Sequence, residues 1–592
     1  MWQKAWSTAI DAALLLSGAI VGTDIPQCRL LPGDVAWPST DAWSTLNNSI
    51  DGRLIKPIPI GAPCHHPNYD AEQCEIVRKN WRQPAFHELH PSSIMDPIFL
   101  NKTCDPFTDP SIPCSRGPYV EYTVNVTKPE HVIKTLKFVE EHNLRFVIKN
   151  TGHDYMGRST GAGAVSVWMH HLKGITIIDN YDSPSSSYKG AAVKVSAGVT
   201  GEELVGVVDK HGLAIVSGEC PTVGFAGGYI QGGGHSVLSS RYGMGADQVL
   251  SYEVITPGGK FVTASPTENE DLYWALSGGG GGTYGILWSV TIKAYPDVPV
   301  TIASLAFATQ GISQDTFWKA IAAYQHNTPR LTDAKVFSFA VYSLAGFSLD
   351  PVFAPGLTVD EVNALLKPFI DDLNELGIQY MHSVSNHPGY LAAFSSVPAF
   401  QGAEIANFQI GNRLLPRRLW EDESSFEDLM NTLKSIANQG GALLDIAVRP
   451  TLEVAGYPDN AILPAWRNAE RTMGVITMLD DHQSLESIFN DQHKVTHEFA
   501  EALRRLAPEA GSYLNEASPI EPNVKHAFYG ANYDRLLQIK DKYDPHQLLY
   551  GSISVGGDRW EETAEGRLCR RDTSGGMIIQ FRRYLESMKG EL

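Results

Sequence analysis

Between Arg145 and Ile175 the chain reads RFVIKNTGHDYMGRSTGAGAVSVWMHHLKGI, and from Ser217 to Ser236 it reads SGECPTVGFAGGYIQGGGHS. These two stretches restrict the fold more than any other part of the sequence. In the first, two strand-like runs, Arg145 to Lys149 and Val165 to Met169, enclose a loop holding His153, Tyr155 and four glycines. In the second, a solitary Cys220 stands ahead of two further glycine clusters. Glycine at this density lets the backbone take positive φ and approach a ligand closely. Successive exposed N–H groups also form concavities suited to phosphate. Together the stretches are expected to form a bed for a cofactor carrying a pyrophosphate.

At 592 residues the chain is too long for one core, so two or three domains are expected. The net charge of -19 repels phosphate backbones, which makes nucleic acid and anionic membrane surfaces poor partners. Residues 1–22 carry Lys4 and then a mostly apolar run from Ala12 to Val21, the pattern of a secretory signal. The run is too short for a spanning helix, and no later segment approaches the necessary apolar length. Sequons at Asn47, Asn101 and Asn125 agree with a secretory route.

Cys28, Cys64, Cys74, Cys104 and Cys114 fall in the first fifth of the chain, whereas Cys220 and Cys569 stand far from any neighbour. In an oxidising compartment, Cys64 with Cys74 and Cys104 with Cys114 are the simplest pairings. The absence of any CxxC pair argues against zinc.

Residues 23–117, rich in Pro, Cys and turns, read as a disulfide-stapled extension wrapped around something larger. From Tyr119 onward helices and strands alternate. Pro129 to His142 reads as a helix, Ala192 to Ala197 as a strand, and Thr200 as the cap of a helix stopped by Gly212. A short strand at Leu213 to Val216, a hairpin over 248–264, a helix from Asn269 to Leu276 and a strand from Ile286 to Ala294 follow. The beat is too irregular for a doubly wound sheet and points to an α+β fold. After Pro296 glycine thins out. Amphipathic helices are expected at Gln314 to Gln325, Val359 to Glu375, Phe426 to Gln439 and Leu485 to Leu506, with strands such as Lys335 to Tyr342 and Leu444 to Val448 between them. A tail helix begins near Asn532 and stops at Asp544-Pro545.

Several motif matches fail on context. Gly280 to Gly285 satisfies GxGxxG, but a helix precedes it and a strand follows, the reverse of a dinucleotide fingerprint. Gly157 to Gly161 satisfies GxSxG around Ser159, yet the next element reads as a strand where a hydrolase needs a helix. A serine hydrolase would still require Ser159 together with a late histidine such as His526 or His546. His87-Glu88-Leu89-His90 misses the zinc-protease spacing by one residue, and His170 with His171 reads as packing and surface. His153 lies between glycines in a loop, where a structural histidine has little to pack against, and imidazole is a competent nucleophile and covalent anchor. From chemistry alone Cys220 reads first as a buried, hydrophobe-like thiol.

The ordered segments NTGHDYMGRSTGAGAVSVW, GECPTVGFAGGYIQGGGHS, DLYWALSGGGGGTYGIL and NYDRLLQIKDKYDP resemble FAD-linked oxidases of the berberine-bridge-enzyme-like, vanillyl-alcohol-oxidase superfamily. Within it the chain looks most like fungal oxidoreductases labelled isoamyl-alcohol-oxidase-like or found in secondary-metabolite pathways. The similarity runs from PGDVAWPS at Pro32 to GGDRW at Trp560. It implies a two-part PCMH-type FAD-binding domain, residues 118–300 completed by 530–592, and a substrate domain of antiparallel sheet covered by helices over 301–529. By the same resemblance His153 is joined to the flavin C8α methyl and Cys220 to C6. Thr151, Gly152, Asp154, Gly157, Arg158, Ser159, Gly224, Gly227, Gly228, Gly232, Gly233, Gly234, His235 and Asn532 would share in holding the cofactor.

The departures from the family pattern also carry information. Relatives often show further cysteines where this chain has Leu30 and Ala36; their joint absence implies one disulfide fewer and leaves Cys28 available for Cys569. Many relatives place a catalytic tyrosine after the Asn of a YxN segment, whereas Tyr513-Leu514-Asn515 is followed here by Glu516. Glu516 is therefore the first candidate for the base that removes a substrate proton, and Tyr155 the second. The resulting expectation is a secreted flavoprotein oxidase that takes hydride from an alcohol, a sugar or an amine-like small molecule and reduces oxygen to hydrogen peroxide. A dehydrogenase with another acceptor is the near alternative, and a serine hydrolase or a binding glycoprotein without chemistry the distant ones.

Overall fold

The computed structural model describes residues 27–402 and 404–571. The signal-like segment at residues 1–22 lies outside them. The fold is α+β. Its first sheet orders the strands Leu54–Ile55, Tyr122–Asn125, Ala164–Trp168 and Arg145–Lys149. Strands 122–125 and 145–149 both run parallel to 164–168, with Val147 opposite Ser166. Tyr122–Asn125 and Arg145–Lys149 lie on either side of Ala164–Trp168, and the helix Pro129–Glu141 is the crossover between them, burying Val132, Leu136 and Val139 at a spacing of four then three. The second sheet is antiparallel, in the order Ile175–Asp182, Lys189–Ser196, Ile286–Lys293, Val249–Ile255 and Phe261–Ala264. The helix Gly201–Asp209 starts at a reciprocal cap, in which the Thr200 hydroxyl accepts from the Glu203 N–H and the Glu203 carboxylate from the Thr200 N–H.

The third sheet has seven antiparallel strands, in the order Met381–His387, Val300–Ala308, Gly346–Pro355, Phe337–Ser343, Ala442–Ala447, Ala469–Met478 and Phe408–Pro416. One face is covered by helices. In Val359–Glu375 the side chains of Val362, Leu366, Phe369 and Leu373 are buried, each contributing roughly 1.5–3 kcal/mol of transfer free energy. A buried ion pair between Arg471 Nε and Asp445 Oδ1 (2.8 Å) crosses adjacent strands, and Gln325 of the helix Gln314–Asn327 donates to the same carboxylate. Alternation along Phe337–Ser343 divides the faces: Ala340 and Tyr342 join the helix-covered core, whereas Phe337 and Phe339 point the other way. The periodic segment Leu485 to Leu506 is helical throughout, with a π turn inside it. It runs as Leu485–Lys494, a wide turn at Val495–Phe499, and Ala500–Leu506.

The extension is held by disulfides Cys64–Cys74 and Cys104–Cys114, and Cys28–Cys569 ties the first described segment to the last. It bridges the two halves. Met95 N–H donates to Gly152 O (3.1 Å) behind the His153 loop, while Arg82 pairs with Asp481 (3.0 Å) and the Lys102 ammonium donates to Asp481 O and Gln483 O. The tail helix Tyr533–Tyr543 is pinned by Lys540, whose buried ammonium pairs with Asp544 and donates to Thr283 O and Leu549 O. Of the sequons, Asn101 is exposed in a left-handed turn, Asn47 is half-buried in a helix, and Asn125 ends a paired strand with Oδ1 buried.

Candidate active site

A cavity of about 470 Å3 separates the seven-stranded sheet from the other two. Its size falls in the range of small-molecule sites. The loop from Asn150 to Gly163 enters it between parallel strands, braced by Asp154, whose carboxylate accepts from the Met156 and Arg158 N–H groups and from the Arg158 guanidinium (2.9 Å). That brace presents His153, Tyr155, Arg158 and Ser159 to the cavity. The Cys220 loop arrives from the strand Leu213–Ala214. Cys220 Sγ stands 3.8 Å from His153 Nε2, and Thr222 Oγ1 lies 2.7 Å from that nitrogen and 3.5 Å from the sulfur. Two groups far apart in sequence thus converge on one wall.

Burial, reinforced by His87, pushes the His153 imidazole down to about 3, so it is neutral with a lone pair available at neutral pH. Burial raises the Cys220 thiol, which stays protonated. The floor is backbone. Phe225–Tyr229 forms a wide helical turn, Gly280 N–H donates to Gln231 O (2.8 Å), and a Cβ on Gly281 would lie 3.2 Å from Gly228 Cα. Two glycine runs separated in the chain therefore pack against each other here, where side chains would keep them apart.

The opposite wall belongs to the seven-stranded sheet and its loops: Phe337, Phe339, Phe400, Ile405, Phe408 and Ile446. Between floor and wall stands Glu516, whose Oε1 accepts from His235 Nε2 (3.0 Å). Burial disfavours the charged His235 ring, but Glu219 and Glu516 outweigh that effect and raise its pKa well above the ordinary value. Tyr155 is half-buried beside Glu516 and Cys220, and desolvation first, then the Glu516 charge, push its phenol far up. It stays protonated there and is a poor base. Tyr513 receives the Asn515 amide (3.0 Å) and stacks edge-on against His235.

Residues 120–265 match a family model described as an FAD binding domain, and residues 512–555 match one described as berberine and berberine like. The chain is 41% identical over 559 residues to FAD-linked oxidoreductase patO of Aspergillus clavatus, covering 94% of this chain and 97% of that protein. This chain belongs to the berberine-bridge-enzyme and vanillyl-alcohol-oxidase family of FAD-linked oxidoreductases. The crystal structure of the VAO-type flavoprotein MtVAO615 from Myceliophthora thermophila superposes with a TM-score of 0.87 at 38% identity, over 92% of this chain and all of that one. Glucooligosaccharide oxidase from Acremonium strictum shares the fold with a TM-score of 0.60 at 18% identity, over 74% of this chain and 91% of that one.

In this FAD-linked oxidoreductase the cavity suits the cofactor. Asn150 Oδ1, Gln231 Oε1 and Asn515 Oδ1 are buried on its wall without partners among the described residues, acceptors suited to the N–H and O–H groups of an isoalloxazine and ribityl chain. An unfilled buried acceptor costs about 1–3 kcal/mol. Thr151, Gly152, Asp154, Arg158, Ser159, Gly224, Gly227, Gly228 and His235 line the cavity with His153 and Cys220.

The structure keeps others off the wall. Gly157 sits at φ 69° against the Phe99 ring, and Gly232 is needed because a Cβ there would lie 2.1 Å from Asn515 Oδ1. Gly233 and Gly234 shape the turn whose carbonyls receive the Ala246 and Gly245 N–H groups. Asn532 spends its amide on Ala461 O and Ile462 O. The hydrolase reading fails on geometry. The element after Ser159 is the strand Ala164–Trp168, His526 bonds Pro508 O, and His546 pairs with Glu140, so neither histidine belongs to the cavity. Sequence reasoning missed Glu219, Thr222, Asn150 and Gln231, although each neighbours a singled-out motif residue. It also missed the aromatic wall, which no local pattern marks.

Proposed function

We propose that this enzyme is an oxidase acting on a small, neutral and largely apolar alcohol, with FAD attached through both His153 and Cys220. The observation carrying the reading is the 3.8 Å approach of Cys220 Sγ to His153 Nε2 on one cavity wall. The glucooligosaccharide oxidase relative is described as carrying a 6-S-cysteinyl, 8α-N1-histidyl FAD, which supports the same double attachment here. The chemistry FAD supplies when bound is removal of a hydride from substrate carbon, with the electrons passed to O2 to give H2O2.

The chain's own residues do the rest. Glu516 takes the hydroxyl proton on its carboxylate, with Oε1 oriented by His235 Nε2–H. Tyr155 stays protonated and does not accept the proton. Phe337, Phe339, Phe400, Phe408, Ile405 and Ile446 exclude water and favour an apolar body over a sugar. The charged side chains that the substrate wall offers are Glu404 and Glu516, which disfavours carboxylate substrates. Arg158, the cavity's guanidinium, is engaged by Asp154.

Secretion by way of residues 1–22, with glycans at Asn47, Asn101 and Asn125, is part of the same proposal. The three disulfides support an oxidising compartment. Among the described residues no helix is long and apolar enough to cross a membrane.

The test is acid precipitation of the purified protein and of His153→Ala, Cys220→Ala and the double variant. Flavin is expected to stay with the pellet until both anchors are removed. Release from the unmodified protein would refute double attachment. Peroxide formed in proportion to alcohol consumed supports the oxidase, whereas turnover only with an artificial acceptor establishes the dehydrogenase. Glu516→Gln should lower kcat/KM by about 10²–10⁴-fold, the usual worth of a positioned base.

A further inference from the structure

His235 is buried, with 3% of its side chain exposed, and sits between two carboxylates: Glu516 Oε1 at 3.0 Å from Nε2 and Glu219 Oε1 at 3.3 Å from Nδ1. The two contacts differ in kind. The first is a hydrogen bond, whereas the second is an ion pair whose alignment falls short of one. Among the described residues neither carboxylate pairs with a lysine or arginine. The Arg158 guanidinium lines the same cavity but is paired with Asp154. Tyr513 meets the His235 ring edge-on at 5.0 Å, Tyr229 donates to the His235 carbonyl (2.9 Å), and Trp466 lies tilted at 6.3 Å. Tyr155 and Cys220 border Glu516, and Tyr390 borders Glu219. Two acids without paired cations in a half-dry cavity would repel each other at short range. The imidazole between them is the group that can offset this.

We propose that Glu219 is a positioning residue, which holds His235 as an imidazolium and through it fixes the carboxylate of Glu516 toward the substrate. The role rests on Glu516 being the base. Glu219 immediately precedes the anchoring Cys220, so the loop that sets the flavin edge also sets the charge behind the base. Before proton uptake the trio carries one net negative charge, and after it none. The imidazolium stays in place throughout, with Nε2–H on Glu516 and Nδ1 against Glu219. Without Glu219 one of the two anions holding that charge is lost, and His235 becomes free to deprotonate as pH rises. A neutral imidazole then holds Glu516 by an uncharged bond, weaker by about tenfold in equilibrium terms.

The experiment uses the flavin-loaded enzyme and its Glu219→Gln, Glu219→Asp and His235→Gln variants, with two readouts. Histidine ring NMR, assigned by loss of a signal in His235→Gln, should show His235 charged from pH 6 to about 9 in the unmodified enzyme. In Glu219→Gln it should titrate within that window. The pH profile of kcat/KM in Glu219→Gln should gain a basic limb, with activity falling about tenfold between low and high pH. Glu219→Asp, which restores a carboxylate at shorter reach, should move both readouts back toward the unmodified enzyme. A uniform loss with an unchanged profile and an unchanged His235 titration would overturn the proposal. If Glu219→Gln shifts the His235 titration while Glu516→Gln retains full turnover, the clamp stands as electrostatics and the assignment of Glu516 as base fails. Should Glu219→Gln fold poorly, a Glu219→Asp enzyme with unmodified titration but a displaced profile would likewise refute the coupling.

Discussion

Lys540 links the tail to the floor of the FAD cavity. Its buried ammonium pairs with Asp544 and donates to Thr283 O (2.9 Å) and Leu549 O (2.8 Å), and Leu549 with Tyr550 lines the cavity. Burial lowers the Lys540 pKa, with Asp544 opposing it. Lys540→Met removes the cation from a site of matching length and leaves the Asp544 carboxylate buried, still accepting from the Leu548 and Leu549 N–H groups but without its counter-charge. Breaking a buried pair on one side costs about 3–5 kcal/mol. Opening of the tail segment over residues 533–555 should become easier by that amount. Amide exchange there should therefore accelerate by about two to four orders of magnitude, at 1.36 kcal/mol per decade. Asp544→Asn should act similarly, because it strands the ammonium. The double variant Lys540→Met/Asp544→Asn should cost much less than the sum of the two, since neither charge is then left alone. Exchange mass spectrometry reads this region directly. If Lys540→Met accelerates exchange less than tenfold, or if the two substitutions add, the pair is not what holds the tail.

Further predictions concern the cavity. Since burial raises the Cys220 thiol, its thiolate is scarce at neutral pH. FAD supplied to the flavin-free protein should therefore become attached at Cys220 faster as pH rises, while attachment at the already neutral His153 changes little; peptide mass spectrometry over pH 6 to about 9.5 distinguishes them. Gly232→Ala places a Cβ 2.1 Å from Asn515 Oδ1, one residue before Glu516. Turnover should fall by about 10-fold to 100-fold while acid-stable flavin is retained, and loss of flavin instead would mean that Gly232 serves the cofactor. Arg471→Met should cost about 3–5 kcal/mol by leaving Asp445 buried without its cation; a stability change under about 1 kcal/mol in urea unfolding would show that the pair is dispensable.

The parts of this protein legible in the sequence are those that depend on local chemistry. Glycine runs around His153 and Cys220 announced the cofactor bed because close backbone approach excludes side chains wherever the chain later goes. The GxGxxG and GxSxG matches could be rejected from order alone, and the strand Ala164–Trp168 after Ser159 bears out the second rejection. Helices such as Val359–Glu375 were legible because their buried face repeats every three to four residues. The ten-residue cysteine spacings gave Cys64–Cys74 and Cys104–Cys114, short loops that close locally. Cys28–Cys569 came only through the family pattern. The segment from Leu485 to Leu506 shows the limit of periodicity: its apolar repeat continues through a wide turn at Val495–Phe499 that no pattern marks.

The tertiary structure alone decided which of those residues share a wall. Asn532, Gly233 and Gly234 belong to strongly matching motifs but serve turns and carbonyls away from the cavity. Glu219, by contrast, has no periodic or compositional mark, and becomes significant only because residues 219, 235 and 516 meet at hydrogen-bonding range. The aromatic wall is equally silent in sequence, since Phe337 and Phe339 look like any alternating strand and acquire meaning from the face that the helices leave uncovered. Sequence by itself determined the cofactor bed, because that follows from residue type and backbone freedom at neighbouring positions. The charge state of His235, the protonated thiol of Cys220 and the apolar character of the substrate wall were decided by burial and by neighbours hundreds of residues away, and burial is a property of the folded chain.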